Sequence, residues 1–171
     1  MLIDSSYFTT GPRHIQNATM GNALLPNANS VEVCKAIEGY ISYFQEEYLA
    51  AMLGHTLGNK VNAYLVCKDE DATTKAVESY DAVCAQLKES FADYVFFHIL
   101  RYSQSQATIT GFVRLKCANN YVSPILRQVQ IWNKMVVRNQ QILSWYKSPD
   151  CALEGVCMSE EMLTKINSLN L

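Results

Sequence analysis

The stretch from Phe91 to Tyr121, FADYVFFHILRYSQSQATITGFVRLKCANNY, constrains the fold most, because its periodicity changes partway along. As far as Tyr102 the apolar residues recur every three or four positions. Phe96 and Phe97 widen the stripe, as expected of a helix covered on more than one side. From Ser103 that period stops. Gln104, Ser105, Gln106, Thr108 and Thr110 are polar, and Phe112 to Cys117 then nearly alternate, with poor helix and good strand propensity. Gly111 permits a bend or bulge. The excursion is about nineteen residues, long for a plain connection, and such loops are usually functional or disordered. Ser123-Pro124 then reads as a fresh helix start, with a capping hydroxyl and proline at the first helical position.

The flanking sequence supplies the rest of the body. Asn29-Ser30-Val31-Glu32 has the spacing of a capping box, with Asn29 as the cap. Apolar residues follow at helical spacing from Val33 through Ile37, Ile41 and Phe44 to Leu53, and Gly54 is placed to end the helix. A shorter helix is expected over about 56–67, with Leu57, Val61, Tyr64 and Leu65 on its face. From Thr73 or Thr74 a long pattern runs to Tyr102, as one helix or as two joined near Lys88 to Ser90. After Ser123-Pro124, a helix carrying Val129, Trp132, Met135, Val136 and Ile142 runs to Pro149, which closes it. A last short helix is expected from Ser159, with Met162, Leu163, Ile166 and Leu169. The fold class is therefore all-α, a four- to five-helix body with one extended or β-hairpin arm, at about 104–121, between the last two long helices. The core should draw on Ile37, Ile41, Phe44, Tyr80, Leu87, Phe91, Tyr94, Val95, Ile99, Val129, Trp132 and Val136.

The ends have a different character. Residues 1–29 are rich in Asn, Gly, Pro, Ser and Thr, with apolar residues dotted at Leu2, Ile3, Tyr7, Phe8, Ile15, Leu24 and Leu25. A solvated tail has no use for such dots, so an extended arm laid on another surface is expected. The domain plan is an N-terminal arm at 1–29, a helical domain at 30–148 and a C-terminal tail at 149–171.

Composition narrows the function classes. A hydrophobic content of 49% with 18% charged residues supports a real core, and a net charge of −2 argues against tight nonspecific nucleic-acid binding. No apolar run reaches the length of a membrane span. The opening MLIDSSYFTT lacks the basic start and apolar centre of a signal peptide. The six cysteines form no CxxC and no tight framework, so reduced thiols are expected, with Cys34, Cys67 and Cys84 behaving as small apolar residues in helices. Cys151 and Cys157, close together in a loop, are the pair to watch.

Little in the sequence carries chemistry. His14, His55 and His98 are scattered, and His98, on an aromatic helix face beside Phe97 and Tyr94, reads as a satisfied core histidine. Glu46 and Glu47 point about 100° apart on a helix and do not share a proton easily. There is no metal spacing, no phosphate loop and no nucleophile elbow. No cofactor, metal site or catalytic activity is expected. Trp132 and Trp145 read as core or interface anchors. Arg101, Arg114, Lys116, Arg127, Lys134 and Arg138 concentrate positive charge after position 100, for DNA or for an acidic protein neighbour.

The run Tyr94-Val95-Phe96-Phe97-His98, then Arg101, SQSQATITGFVRLKCANN, Ser123-Pro124 and Ile131-Trp132-Asn133-Lys134-Met135, resembles head–tail connector (adaptor, or neck) proteins of tailed bacteriophages and prophages. Leu2-Ile3-Asp4 with Tyr7-Phe8 and Gly11-Pro12, and the run Tyr43 to Gly54, are similar to theirs too. The resemblance covers roughly residues 1–147, and the tail from Pro149 departs from it. It implies a virion protein of the neck, made in the bacterial host cytoplasm. Copies would assemble as a ring on the portal protein and meet a tail or neighbouring neck protein. DNA would pass through the channel without sequence-specific binding, and no membrane would be involved. A mildly acidic surface suits such a channel, since strong basic contacts would impede sliding DNA. The residues expected to bind partners are Tyr7 and Phe8 in the N-terminal segment and Ile109, Phe112, Val113, Arg114, Leu115 and Lys116 in the arm. Two other readings compete. One is a DNA-binding helical regulator using Arg114, Lys116 and Arg127. The other is a helical small-molecule binder with His98, Tyr94 and Tyr102 around a pocket.

Overall fold

A computed structural model describes residues 1–18, 28–70, 77–102, 105–108, 111–114, 123–149, 151 and 153–169. The described chain is mostly helical, with four α-helices: α1 (Ala28–Leu53), α2 (His55–Glu70), α3 (Glu78–Tyr102) and α4 (Ile125–Tyr146). Short 3-10 turns occur at Ser5–Phe8, Gly11–Arg13 and Glu160–Leu163. Two four-residue strands, β1 (Ser105–Thr108) and β2 (Gly111–Arg114), pair antiparallel, with Ser105 opposite Arg114 and Thr108 opposite Gly111. The rest of the stretch at 104–121, including Ile109, Leu115 and Lys116, lies outside the described residues.

Consecutive helices pack in pairs, α1 with α2 and α3 with α4, and α3 also lies against α1. The first pair turns on two glycines. Gly54 takes φ +84°, which only glycine adopts without strain, and ends α1 as its spacing predicts. At Gly58 a Cβ would sit 2.7 Å from the Leu49 carbonyl oxygen, so the absence of a side chain lets α2 start directly against α1.

α3 is a single helix and the centre of the fold. Residues 90–97 are buried without interruption, so neighbours cover every side of it. Tyr48 and Phe91 meet at 4.8 Å between ring centroids, and Phe97 and Trp132 also at 4.8 Å. Nine of the twelve expected core residues are buried; Tyr80, Ile99 and Val129 are half-buried. Tyr80 and Ile99 stand near opposite ends of α3, where cover thins. Val129 stands one step off the stripe of α4 that runs through Gln128, Trp132, Met135, Asn139 and Ile142, and Gln128 takes the buried place.

Three expectations at the ends need correction. Asn29 does not cap α1: the helix already includes Ala28, so Asn29 lies in its first turn. The segment after Ser159 makes one 3-10 turn, not an α-helix, and Met162 is its buried anchor. The N-terminal segment, in its described part, lies on its own subunit. Leu2, Ile3, Phe8 and Ala18 are buried in the same core as the helices. The Leu2 amide donates to Gln45 Oε1 at 2.7 Å, and the Met1 amino group pairs with Asp69. The apolar dots are thus consumed within the chain.

Five of the cysteines are described, and no disulfide joins any of these five. Cys34 and Cys84 are buried as expected, and Cys34 Sγ donates to the Ala18 carbonyl at 3.0 Å. Cys67 is exposed, because it falls on the outer face of α2.

Phe8 and Phe91 are both 0% exposed. Truncating either to alanine should cost about 3–5 kcal/mol in urea unfolding. A loss below about 1 kcal/mol for Phe8→Ala would show that the N-terminal segment is not core.

Candidate functional site

The residues expected to touch partners separate into two groups. Phe8 is fully buried under α3, 6.5 Å from Phe96 between ring centroids, so it is a core residue and not a partner contact. Tyr7 is half-buried against the same core, with the Arg13 guanidinium 5.9 Å from its ring centre. Phe112, Val113 and Arg114 lie together on β2, which follows closely after the last turn of α3.

The end of α3 that leads into β1 carries an aromatic face shared with α1. Tyr40, Phe44, His98 and Tyr102 stack on one another, the closest pair being Phe44 and His98 at 4.1 Å, and Tyr43 meets Phe44 edge-on at 4.9 Å. The periods of the two helices bring these rings together. Positions 40 and 44 on α1 and positions 98 and 102 on α3 are each one turn apart. The outer members stay in water, Tyr43 at 75% and Tyr102 at 52% exposure. These two rings leave aromatic surface in water at the end of α3 that leads in sequence to β1.

His98 sits at the inner edge of this face. Neither of its ring nitrogens has a hydrogen-bond partner among the described residues. Burial, helped by the nearby Arg101 charge, lowers its pKa to about 4, so the ring is neutral at pH 7. It lines a cavity of about 170 Å3 together with Glu47, Tyr94, Phe97, Arg101, Trp132, Glu161 and Ile166. The Tyr94 hydroxyl is committed to Glu47, donating to Oε1 at 2.9 Å, and burial holds its pKa well above the usual tyrosine range.

A buried polar cluster that the sequence reading missed lies farther along α3. Asp93 is 0% exposed in the middle of the aromatic run. Arg13 Nη1 donates to Asp93 Oδ1 at 3.2 Å, and Arg13 Nη2 donates to Glu89 Oε2 at 2.7 Å. From the other side, Arg138 Nη1 donates to Glu89 Oε2 at 2.9 Å and lies 3.2 Å from Asp93 Oδ2, a charge contact without hydrogen-bond alignment. The same two arginines have different consequences for the two acids. Burial pushes the Asp93 carboxyl above its ordinary range, and the guanidiniums offset only part of that. Glu89 is also raised by burial, but it stands closer to solvent, and the hydrogen bonds from Arg13 and Arg138 bring it below its ordinary range. Next along the seam, Ser90 Oγ donates to Asn139 Oδ1, and Asn139 Nδ2 donates to the Met162 carbonyl at 2.8 Å. A lone aspartate within FADYVFFHIL was the available signal, since a buried carboxylate needs a cation.

Arg127, counted among the cations free for DNA, is committed within the chain. Its guanidinium lies 4.9 Å from the Phe96 ring centre and donates to the Pro12 carbonyl at 2.6 Å. Among the described residues no cluster of His, Cys, Asp and Glu has metal-binding geometry, and no helix is long and apolar enough to cross a membrane. No family model, curated protein or solved structure matches this chain.

Two outcomes follow from the buried groups. For His98 the folded pKa of about 4 lies below the ordinary histidine value of 6.5. Its contribution to stability is therefore fully present above pH 6.5 and lost as pH falls towards 4. Urea midpoints measured across that window should fall more steeply for the native chain than for His98→Phe; identical slopes would show that His98 is not buried neutral. Asp93→Ala leaves two guanidiniums sharing only Glu89. It should cost about 3 kcal/mol, the low end for a broken buried pair because both arginines reach solvent. It should also expose the segment around Arg13 to limited proteolysis.

Proposed function

We propose that the chain is a structural subunit of a phage head–tail connector, which assembles as a ring on the portal between capsid and tail and catalyses no reaction. The observation that carries this reading is the succession of elements after α3. A paired β1–β2 segment follows closely on a helix whose exposed Tyr102 joins Tyr43 in an aromatic face. In the proposal β1 and β2 are the root of an arm spanning about 104–121. The apolar members of that arm, Ile109, Phe112, Val113 and Leu115, cover a neighbouring subunit or the portal, and Arg114 and Lys116 meet acidic groups there. An extended segment also needs partners for its backbone, and adding a strand to a neighbour supplies them.

The N-terminal contribution to the ring contracts in this reading. Phe8 belongs to its own subunit's core, so Tyr7 alone remains near the surface. The DNA-regulator reading loses support, because the Arg127 head group is held against Phe96 and Pro12. The small-molecule reading loses one of its three residues, because the cavity beside His98 is lined by Tyr94 but not by Tyr102.

The test replaces residues 106–117 by a short Gly/Ser linker. The expected result is a melting temperature within about 4 °C of the native chain, corresponding to less than about 1 kcal/mol, with loss of assembly on the portal seen by electron microscopy. Unfolding of the variant would assign the segment to its own core. Unchanged rings on the portal would remove the arm from the mechanism.

A further inference from the structure

Two cavities meet along one side of α3. The smaller, of about 170 Å3, has His98 and Arg101 in its wall, and the larger, of about 440 Å3, reaches His55. Glu47, Tyr94 and Glu161 line both, so these residues stand at the junction. Helical spacing puts most of the walls in place. Glu47, Ala50, Ala51 and Gly54 form one stripe of α1, and Tyr94, His98 and Arg101 form one stripe of α3. Glu161 comes from the C-terminal 3-10 turn. Met162 anchors that turn in the core, and Trp132 Nε1 holds the chain beyond it by donating to the Thr164 carbonyl at 2.9 Å.

The charges on these walls are of both signs, and they do not satisfy one another. Burial, the bond to Glu47 and then the charges of Glu47 and Glu161 raise the pKa of Tyr94, so both carboxylates bear on one hydroxyl. Arg101 lines the same small cavity, but among the described residues it pairs with neither acid, and neither acid has another ion pair. The two carboxylates would repel an anion at the junction, and Arg101 would repel a plain cation at its end of the cavity. A molecule that carries one charge of each sign suits both places. The remaining walls are largely apolar. Phe97 and Trp132 line the smaller cavity, and Ala50, Ala51 and Met162 line the larger beside Ser159 and His55. A few convergent polar groups in an otherwise apolar cavity are the usual make-up of a small-ligand site.

We propose that the joined cavities bind a free α-amino acid with an apolar side chain. Its ammonium group donates to Glu47 and Glu161, and its carboxylate accepts from Arg101. Its side chain lies against Ala50, Ala51 and Met162. A molecule bound this way touches α1, α3 and the C-terminal segment at once and ties the three together. The site uses no residue of the arm at about 104–121, so it stands or falls apart from the connector reading.

The experiment titrates the isotopically labelled full chain with L-leucine and with L-phenylalanine, each to about 10 mM, enough to fill most of a site with a millimolar Kd. Binding is followed by the nuclear magnetic resonance signals of the Trp132 indole and of the amides around Glu161. The expected result is a saturable shift of those signals by at least one of the two amino acids. Its amide, which lacks the carboxylate, and its N-acetyl form, which lacks the ammonium, should each bind about tenfold more weakly or worse. Arg101 and Glu161 are exposed at their outer ends, so substitution should leave the fold intact. Arg101→Gln should abolish the preference over the amide, and Glu161→Gln should reduce the preference over the N-acetyl form. The absence of a saturable shift with both amino acids overturns the proposal. So does equal binding of the charged and blocked forms, or variants that keep the native preferences.

Discussion

A carboxylate withdrawn from water inside an aromatic helix places a demand on everything around it. An unpaired charge there would cost several kcal/mol, and a fold that buries Asp93 must bring cations to it. Two elements supply them, the 3-10 turn ending at Arg13 and the middle of α4 at Arg138. Apolar faces alone leave two helices free to slide by part of a turn. The pairings of Arg138 with Glu89 and of Asn139 with Ser90 select one register for α3 against α4. Asn139 then carries the same line of bonds to the C-terminal segment through the Met162 carbonyl. Both ends of the chain are thus tied to one polar seam in the middle of the molecule.

The helices were legible because periodicity is a local property. The α1 face through Ile37, Ile41, Phe44, Tyr48 and Met52 is written into the spacing, and so is the stop at Gly54. Residues without a period were not legible. Phe8, Ile3 and Leu2 look the same in sequence whether they cover a partner or their own helices, and only the tertiary structure shows that the cover is internal. The C-terminal segment escaped for a related reason. It is held by hydrogen bonds to its backbone, which every sequence has, and by apolar residues, Leu153, Val156, Met158, Met162 and Ile166, that follow no steady period. Arg13 and Asp93 stand 80 residues apart, beyond the reach of any local pattern.

The aromatic face was half visible. Tyr94 and His98 were noticed on one helix, but the reading stayed within α3. Their stacking partners Tyr40 and Phe44 belong to α1, and pairing across helices depends on crossing geometry that one helix's pattern does not contain. The neutral state of His98 follows from that pairing, because flat rings exclude water from both its nitrogens without offering them a hydrogen bond.

The order of synthesis gives the N-terminal segment an awkward interval. Leu2, Ile3 and Phe8 leave the ribosome before α3 and α4, but Phe8 packs on Phe96, and the Arg13 cradle is completed only by Arg138. The 80 residues that separate Arg13 from Asp93 take about 4–16 s to translate at about 5–20 residues per second. The α1–α2 pair, closed by the Gly54 and Gly58 corner, is made of local contacts and can form within that time. The segment therefore waits, apolar side chains in water, beside a half-built body. During that interval chaperones and other nascent chains compete for the same side chains.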